Sequence, residues 1–96
     1  MKAAIVGAGI SGLATAQALL AREPGAQVTI FEASDRAGGK VETEAVPEGY
    51  ICEWGVNAFL DKSPRTLELC DEIGLTPLRG DESAKKRYVF SAGELH

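Results

Sequence analysis

The sequence predicts an α/β fold, a parallel βαβ unit extended by a β-hairpin and a second helix. Three observations predict it. Two short runs rich in β-branched residues, Lys2 to Val6 and Val28 to Phe31, flank a stretch dense in Ala and Leu. A glycine-rich turn joins the first run to that stretch. Pro24-Gly25 then separates the stretch from the second run. Parallel strands require a crossover of this kind, about thirty residues in all with its strands.

Each element has its own local reason. Lys2 to Val6 is a short apolar run, as expected for a strand buried on both faces. Gly7 to Gly12 reads as a turn. Leu13 to Arg22 carries Leu13, Ala16 and Leu20 at helical spacing, so a helix is expected there, ended by Pro24-Gly25. Val28 to Phe31 is the second strand, ending at Glu32. Ala33 to Lys40 is small, polar and glycine-rich, hence a loop. Val41 to Glu44 and Tyr50 to Trp54 read as a hairpin around Pro47-Glu48-Gly49. Ser63-Pro64 places a capping hydroxyl before a proline at the first helical position. Leu67, Cys70 and Ile73 then share a face, and Gly74 closes the helix. Arg87 to Phe90 reads as a strand, Ser91-Ala92-Gly93 as a turn and Glu94 to His96 as the start of its partner. Two parallel strands with one crossover helix do not cover a sheet, so the sequence reads as the front of a larger domain.

Composition excludes several function classes. The 96 residues, 45% hydrophobic and 25% charged, suit one small globular unit. A net charge of −4 argues against a nucleic-acid partner, which needs a positive surface. One His, the last residue, excludes His-based metal sites and triads, and no metal site is expected. Cys52 and Cys70 are too few and too far apart for a disulfide scaffold. They read as small core residues in a reducing, cytoplasmic setting. Ala3 to Ala21 is free of charge for nineteen residues, the length of a membrane span. Its central glycines and polar residues parse it instead as strand, turn and helix. Trp54 reads as a packing residue and Lys85 as a solvated cation.

The chemistry lies in the turn. Gly7-x-Gly9-x-x-Gly12 sits between strand and helix, and Glu32 lies twenty residues beyond Gly12 at the end of the next strand. In this Rossmann-like pattern Gly7 permits the tight turn, Gly9 the approach of a pyrophosphate, and Gly12 the close packing of helix on strand. The helix N-terminus offers free N–H groups to phosphate. Glu32 would accept ribose hydroxyls and repel a 2′-phosphate, which disfavours NADP.

Arg36-Ala37-Gly38-Gly39-Lys40 follows directly. A dinucleotide fold followed by Arg-x-Gly-Gly-Lys resembles the flavoprotein family of amine oxidases, phytoene desaturases and protoporphyrinogen oxidases. Glu53 to Asp61 further resembles the Glu-x-Gly-Pro-Asn-Ser-Phe segment of the oxygen-dependent protoporphyrinogen oxidases, with Val56 and Ala58 in place of Pro and Ser. Lys86-Arg87-Tyr88-Val89 is similar to a Lys-Arg-Tyr strand of the same enzymes.

The resemblance implies FAD as cofactor. Its expected contacts are Gly7, Ala8, Gly9, Ile10, Ser11, Gly12, Glu32 and Ala33 in the fingerprint. Arg36, Gly38, Gly39 and Lys40 would lie on the diphosphate, and Gly55, Val56 and Asn57 near the ring. It also implies Asn57 and Arg87 at a substrate pocket, and oxidation of a porphyrinogen by O2 with release of H2O2. The flavin would carry the redox chemistry, so no catalytic acid or base is expected in these residues. Peripheral membrane association would be compatible with the family. Two alternatives stand beside this reading: an amine or polyene oxidase of the superfamily, and a flavin-binding module without turnover.

Overall fold

The computed structural model describes residues 1–84 and 86–96, and the expected solvated cation Lys85 lies outside the described residues. The chain forms two units, Met1–Lys62 and Ser63–His96. In the first, strand β1 (Lys2–Val6), helix α1 (Ile10–Arg22) and strand β2 (Gln27–Phe31) follow in order, and β1 pairs with β2 in parallel, Lys2 opposite Gln27 and Val6 opposite Phe31. This is the expected βαβ unit.

α1 lies against both strands. Ala16 is buried on its inner side, with Gly12 and Leu19 half-buried at helical spacing. The strand faces differ from the expectation of burial on both sides. Ala3, Ile5, Val28 and Ile30 are half-covered, whereas the alternate residues Val6 and Phe31 are 88% and 59% exposed. Side chains alternate across a strand, and among the described residues only α1 lies against these two strands. α1 also begins at Ile10, three residues earlier than its Leu-rich core suggests, with Gly9 as N-cap. At its far end the Glu23 N–H bonds to the Leu19 carbonyl, and Ala26 N–H closes a turn over Pro24-Gly25 onto the Glu23 carbonyl.

β3 (Thr43–Ala45) and β4 (Ile51–Glu53) form an antiparallel hairpin whose turn is closed by Gly49 N–H on the Val46 carbonyl. Gly49 sits at φ +88°, a conformation that glycine adopts freely. The strands are shorter than expected because Val41 belongs to the preceding loop. Its N–H bonds to the Gly38 carbonyl and its own carbonyl accepts from Arg36.

The second unit holds α2 (Pro64–Glu72) and a two-residue hairpin of β5 (Phe90–Ser91) and β6 (Glu94–Leu95). Pro64 opens α2 as expected, but the Ser63 hydroxyl makes no capping bond. The C-terminus is closed by a Schellman pair, Leu75 N–H to the Cys70 carbonyl and Gly74 N–H to the Asp71 carbonyl, with Gly74 at φ +72°. Cys70 is buried on this helix, whereas Leu67 and Ile73 are exposed. Cys52, expected in a core, is exposed on β4, because no described residue covers either face of that hairpin there. The strand expected from Arg87 begins only at Phe90. Val89 and His96 exchange both backbone hydrogen bonds just outside it, and Lys86 to Tyr88 are irregular. No helix among the described residues is long and apolar enough to cross a membrane.

Candidate functional site

The glycine turn is built almost wholly from backbone bonds. Gly7, at φ +95°, donates its N–H to the Phe31 carbonyl at 2.7 Å, tying the end of β1 to the end of β2. Ala8 is buried, and both its backbone groups are used: its N–H donates to Glu32 Oε2 at 2.7 Å and its carbonyl accepts from Gly38 N–H at 2.7 Å. The first intrahelical bond runs from Leu13 N–H to the Gly9 carbonyl at 3.0 Å. The N–H groups of Ile10, Ser11 and Gly12 therefore precede the helical ladder, and no side chain caps them. A Cβ at Gly9 would meet open space, whereas one at Gly12 would overlap the Gly7 carbonyl and press on Ile5 Cγ2. Gly12 is thus required by packing, and Gly9 leaves a gap over the helix N-terminus.

Glu32 stands beside this gap. Its Oε1 accepts the Ser34 N–H at 2.9 Å and its Oε2 the Ala8 N–H. These bonds, Ser34 first and Ala8 second, hold its carboxyl below the usual 4.5. Each oxygen keeps further acceptor capacity, and the residue is exposed.

The second glycine segment meets the first. Gly38 bridges to Gly9 as a parallel pair, and a Cβ on Gly39 would lie 3.1 Å from Gly9 Cα. Both residues have positive φ, +114° and +59°. Around them Arg36 works as an internal clasp. Its guanidinium donates to the carbonyls of Ala37 (3.2 Å), Val41 (3.2 Å) and Gly39 (2.6 Å), and to Glu42 Oε2 (2.9 Å). The charge expected to face a diphosphate is thus engaged within the loop. Arg36, Gly39, Lys40, Glu42, Trp54, Gly55 and Val56 line an open cavity of about 320 Å³. Gly55 allows this closure, since a Cβ there would overlap the Lys40 carbonyl.

Most of the expected residues of the first unit therefore converge, Gly7 to Gly12 with Glu32 and Gly38, and Gly39 and Lys40 with Gly55 and Val56. Ala33 is exposed next to Glu32, and Asn57 is exposed beyond the cavity residues. Arg87 is exposed in the second unit, outside regular structure. Trp54, expected to pack, is 66% exposed and donates its indole N–H to Glu44 Oε2 at 2.7 Å, because the hairpin has no covering layer. Sequence reasoning missed Ser34, Glu42 and Trp54. Ser34 had a local signal, a serine two residues after a carboxylate, which favours a turn. The pairing of Glu42 with Arg36 across a folded-back loop had none.

The family described as flavin containing amine oxidoreductase matches residues 10–96. The coproporphyrinogen III oxidase of Staphylococcus aureus is 38% identical over 93 residues, covering 97% of this chain and 20% of that protein. Protoporphyrinogen oxidase 2 of Arabidopsis thaliana is 40% identical over 93 residues, covering 96% of this chain and 18% of that protein. Among solved structures, putrescine oxidase bound to putrescine superposes with a TM-score of 0.65 at 38% identity, over 79% of this chain and 17% of that one. The chain spans about a fifth of the length of these relatives. A helix N-terminus open toward Gly9, a carboxylate at the end of β2 and a second glycine loop bonded to the first agree with the match, and the chain belongs to the flavin containing amine oxidoreductase family.

Proposed function

We propose that the chain is the N-terminal part of the FAD-binding domain of an enzyme that oxidises a porphyrinogen to the porphyrin, with O2 as electron acceptor and H2O2 as product. The observation that carries the reading is the joining of two glycine segments, Gly38 N–H on the Ala8 carbonyl, beside the uncapped start of α1 and the exposed Glu32. The likeness to porphyrinogen oxidases at 38% and 40% identity supports the substrate class.

These residues fit a dinucleotide. The Ile10, Ser11 and Gly12 N–H groups point out of a positive helix end, and the gap at Gly9 admits a phosphate where any side chain would intrude. Glu32 receives a ribose hydroxyl pair on its remaining lone pairs and disfavours a 2′-phosphate by charge. Ala33 follows it in the bend after β2. Gly38, Gly39 and Lys40 border the diphosphate, and Lys40 brings a cation to it. Gly55, Val56 and Asn57 would meet the ring and Asn57 also the substrate, while the role read for Arg87 is to pair with a propionate. When bound, FAD supplies a two-electron acceptor, so these residues position and shield it.

The putrescine oxidase likeness favours a second reading, an amine as substrate. One experiment separates the two. Under anaerobic conditions the flavin absorbance of the full-length protein should bleach with a porphyrinogen and persist with primary amines and polyamines. Bleaching by amines alone would refute the porphyrinogen assignment, and purification without flavin would refute the cofactor.

A further inference from the structure

Arg36 is the residue of the second glycine segment whose expected role and observed contacts diverge most. A cation next to Gly-Gly is expected to face phosphate. Its guanidinium instead satisfies three carbonyls and one carboxylate of its own loop, those of Ala37, Gly39, Val41 and Glu42. The clasp is tight around it. A Cβ on Gly38 would lie 3.1 Å from Arg36 Nη1 and 2.8 Å from the Val41 carbonyl, so Gly38 must be glycine for the loop to close on the guanidinium. Ser34 Oγ holds the Arg36 carbonyl at 2.8 Å, and Val41 N–H on the Gly38 carbonyl closes the ring from the other side.

Gly38 in turn bridges to Gly9 and donates its N–H to the Ala8 carbonyl, and Gly39 lies close to the Gly9 Cα. A shift of the clasp therefore moves the wall of the gap over Gly9. Neutralisation by Glu42 also lowers the pull that Arg36 exerts on an outside anion.

We propose that Arg36 and Glu42 act as a positioning pair that sets the shape of the Gly38–Lys40 loop for the FAD diphosphate, and that Arg36 does not itself meet the phosphates. The assignment rests on the reading of the site as a dinucleotide site, but it predicts an effect of Glu42 opposite in sign to that of a direct phosphate ligand. Were Arg36 the ligand, removing the neighbouring carboxylate would release its charge and tighten FAD. As a positioning partner, Glu42 holds the fork in place, and its loss loosens FAD.

Flavin-free full-length protein is titrated with FAD by flavin fluorescence for wild type, Glu42→Gln, Arg36→Lys and Lys40→Met. Hydrogen exchange of the 36–42 segment is followed by mass spectrometry in the absence of FAD. Glu42 is exposed and Gln conserves its size, so this variant retains the fold. Glu42→Gln should raise the Kd a few-fold. Arg36→Lys should raise it by about ten-fold despite the retained charge, because an ammonium cannot hold four acceptors in a planar fork. Both should speed exchange in the 36–42 segment. Lys40→Met should raise the Kd without changing that exchange. Tighter FAD binding by Glu42→Gln, wild-type affinity in Arg36→Lys, or unchanged exchange in both would overturn the assignment. A wild-type protein that fails to bind FAD would overturn the proposed function, while the exchange result would still decide the role of Arg36 in the loop.

Discussion

Glycine plays two distinct roles at positions three residues apart. Gly12 is boxed in by the Gly7 carbonyl and Ile5, whereas Gly9 faces open space with φ −75°, a conformation any residue adopts. Gly12→Ala should therefore destabilise the protein by roughly 1–3 kcal/mol through overpacking. Gly9→Ala should leave the thermal midpoint almost unchanged yet weaken FAD by about ten-fold or more, because the methyl group fills the phosphate gap. Thermal melting and FAD titration of the two variants check this, and equal loss of stability in both would refute the distinction. Glu32 carries a pH dependence. Its carboxyl is held below 4.5 by the Ser34 and Ala8 N–H groups. A depressed folded-state value means that the tie is fully present above the unfolded value and is lost as pH falls through the folded one. The Ala8 and Ser34 amide resonances should thus be constant at neutral pH and move together only below about 4.5. Amide shifts that stay flat to the acid unfolding point would refute the tie.

At the scale of the element, helix α2 separates what a capping residue suggests from what it does. Ser63 stands at the N-cap but makes no capping bond, and Gly74 adopts φ +72° within a complete Schellman pair. Ser63→Ala should change stability by less than about 0.5 kcal/mol, against about 1 kcal/mol for a bonded cap. Gly74→Ala should cost about 1 kcal/mol, the penalty of a left-handed conformation. Urea denaturation of the two variants gives the comparison, and a larger loss in Ser63→Ala would reverse it. The sequence marked both ends of this helix correctly, because Pro64 and Gly74 act through their own backbone limits. It marked the mechanism at Ser63 wrongly, because a hydroxyl has a choice of orientations that composition does not settle. The start of α1 was shifted for a similar reason: the need for glycine at position 12 comes from the Gly7 carbonyl and not from a turn, and Gly12 lies inside a helix that begins at Ile10.

Considered as a whole polypeptide, the 96 residues bury little. Among the described residues only Ala8, Ala16 and Cys70 are buried apolar side chains, while Val6, Phe31, Ile51 and Phe90 are exposed. The open face of β1 and β2 alternates with the one covered by α1, and parallel sheets are stable when both faces are covered. The 96-residue chain alone should therefore melt without a sharp transition and sediment as self-associated species at tens of micromolar or so. A monodisperse monomer with a cooperative melt would contradict this.

The βαβ order, the glycine turn with Glu32 at its far side, the second glycine segment and the proline and glycine stops are all legible in the order of residues. These are written in residues whose backbone limits act locally, or in spacings tied to one period. Folding in three dimensions is what makes Ala8 spend both its backbone groups on Glu32 and Gly38, turns Arg36 inward to Glu42, and leaves Cys52 and Trp54 exposed. Those outcomes depend on which segments the folded chain brings together, and a hydrogen bond or a covering layer between distant residues leaves no mark in the spacing of either one.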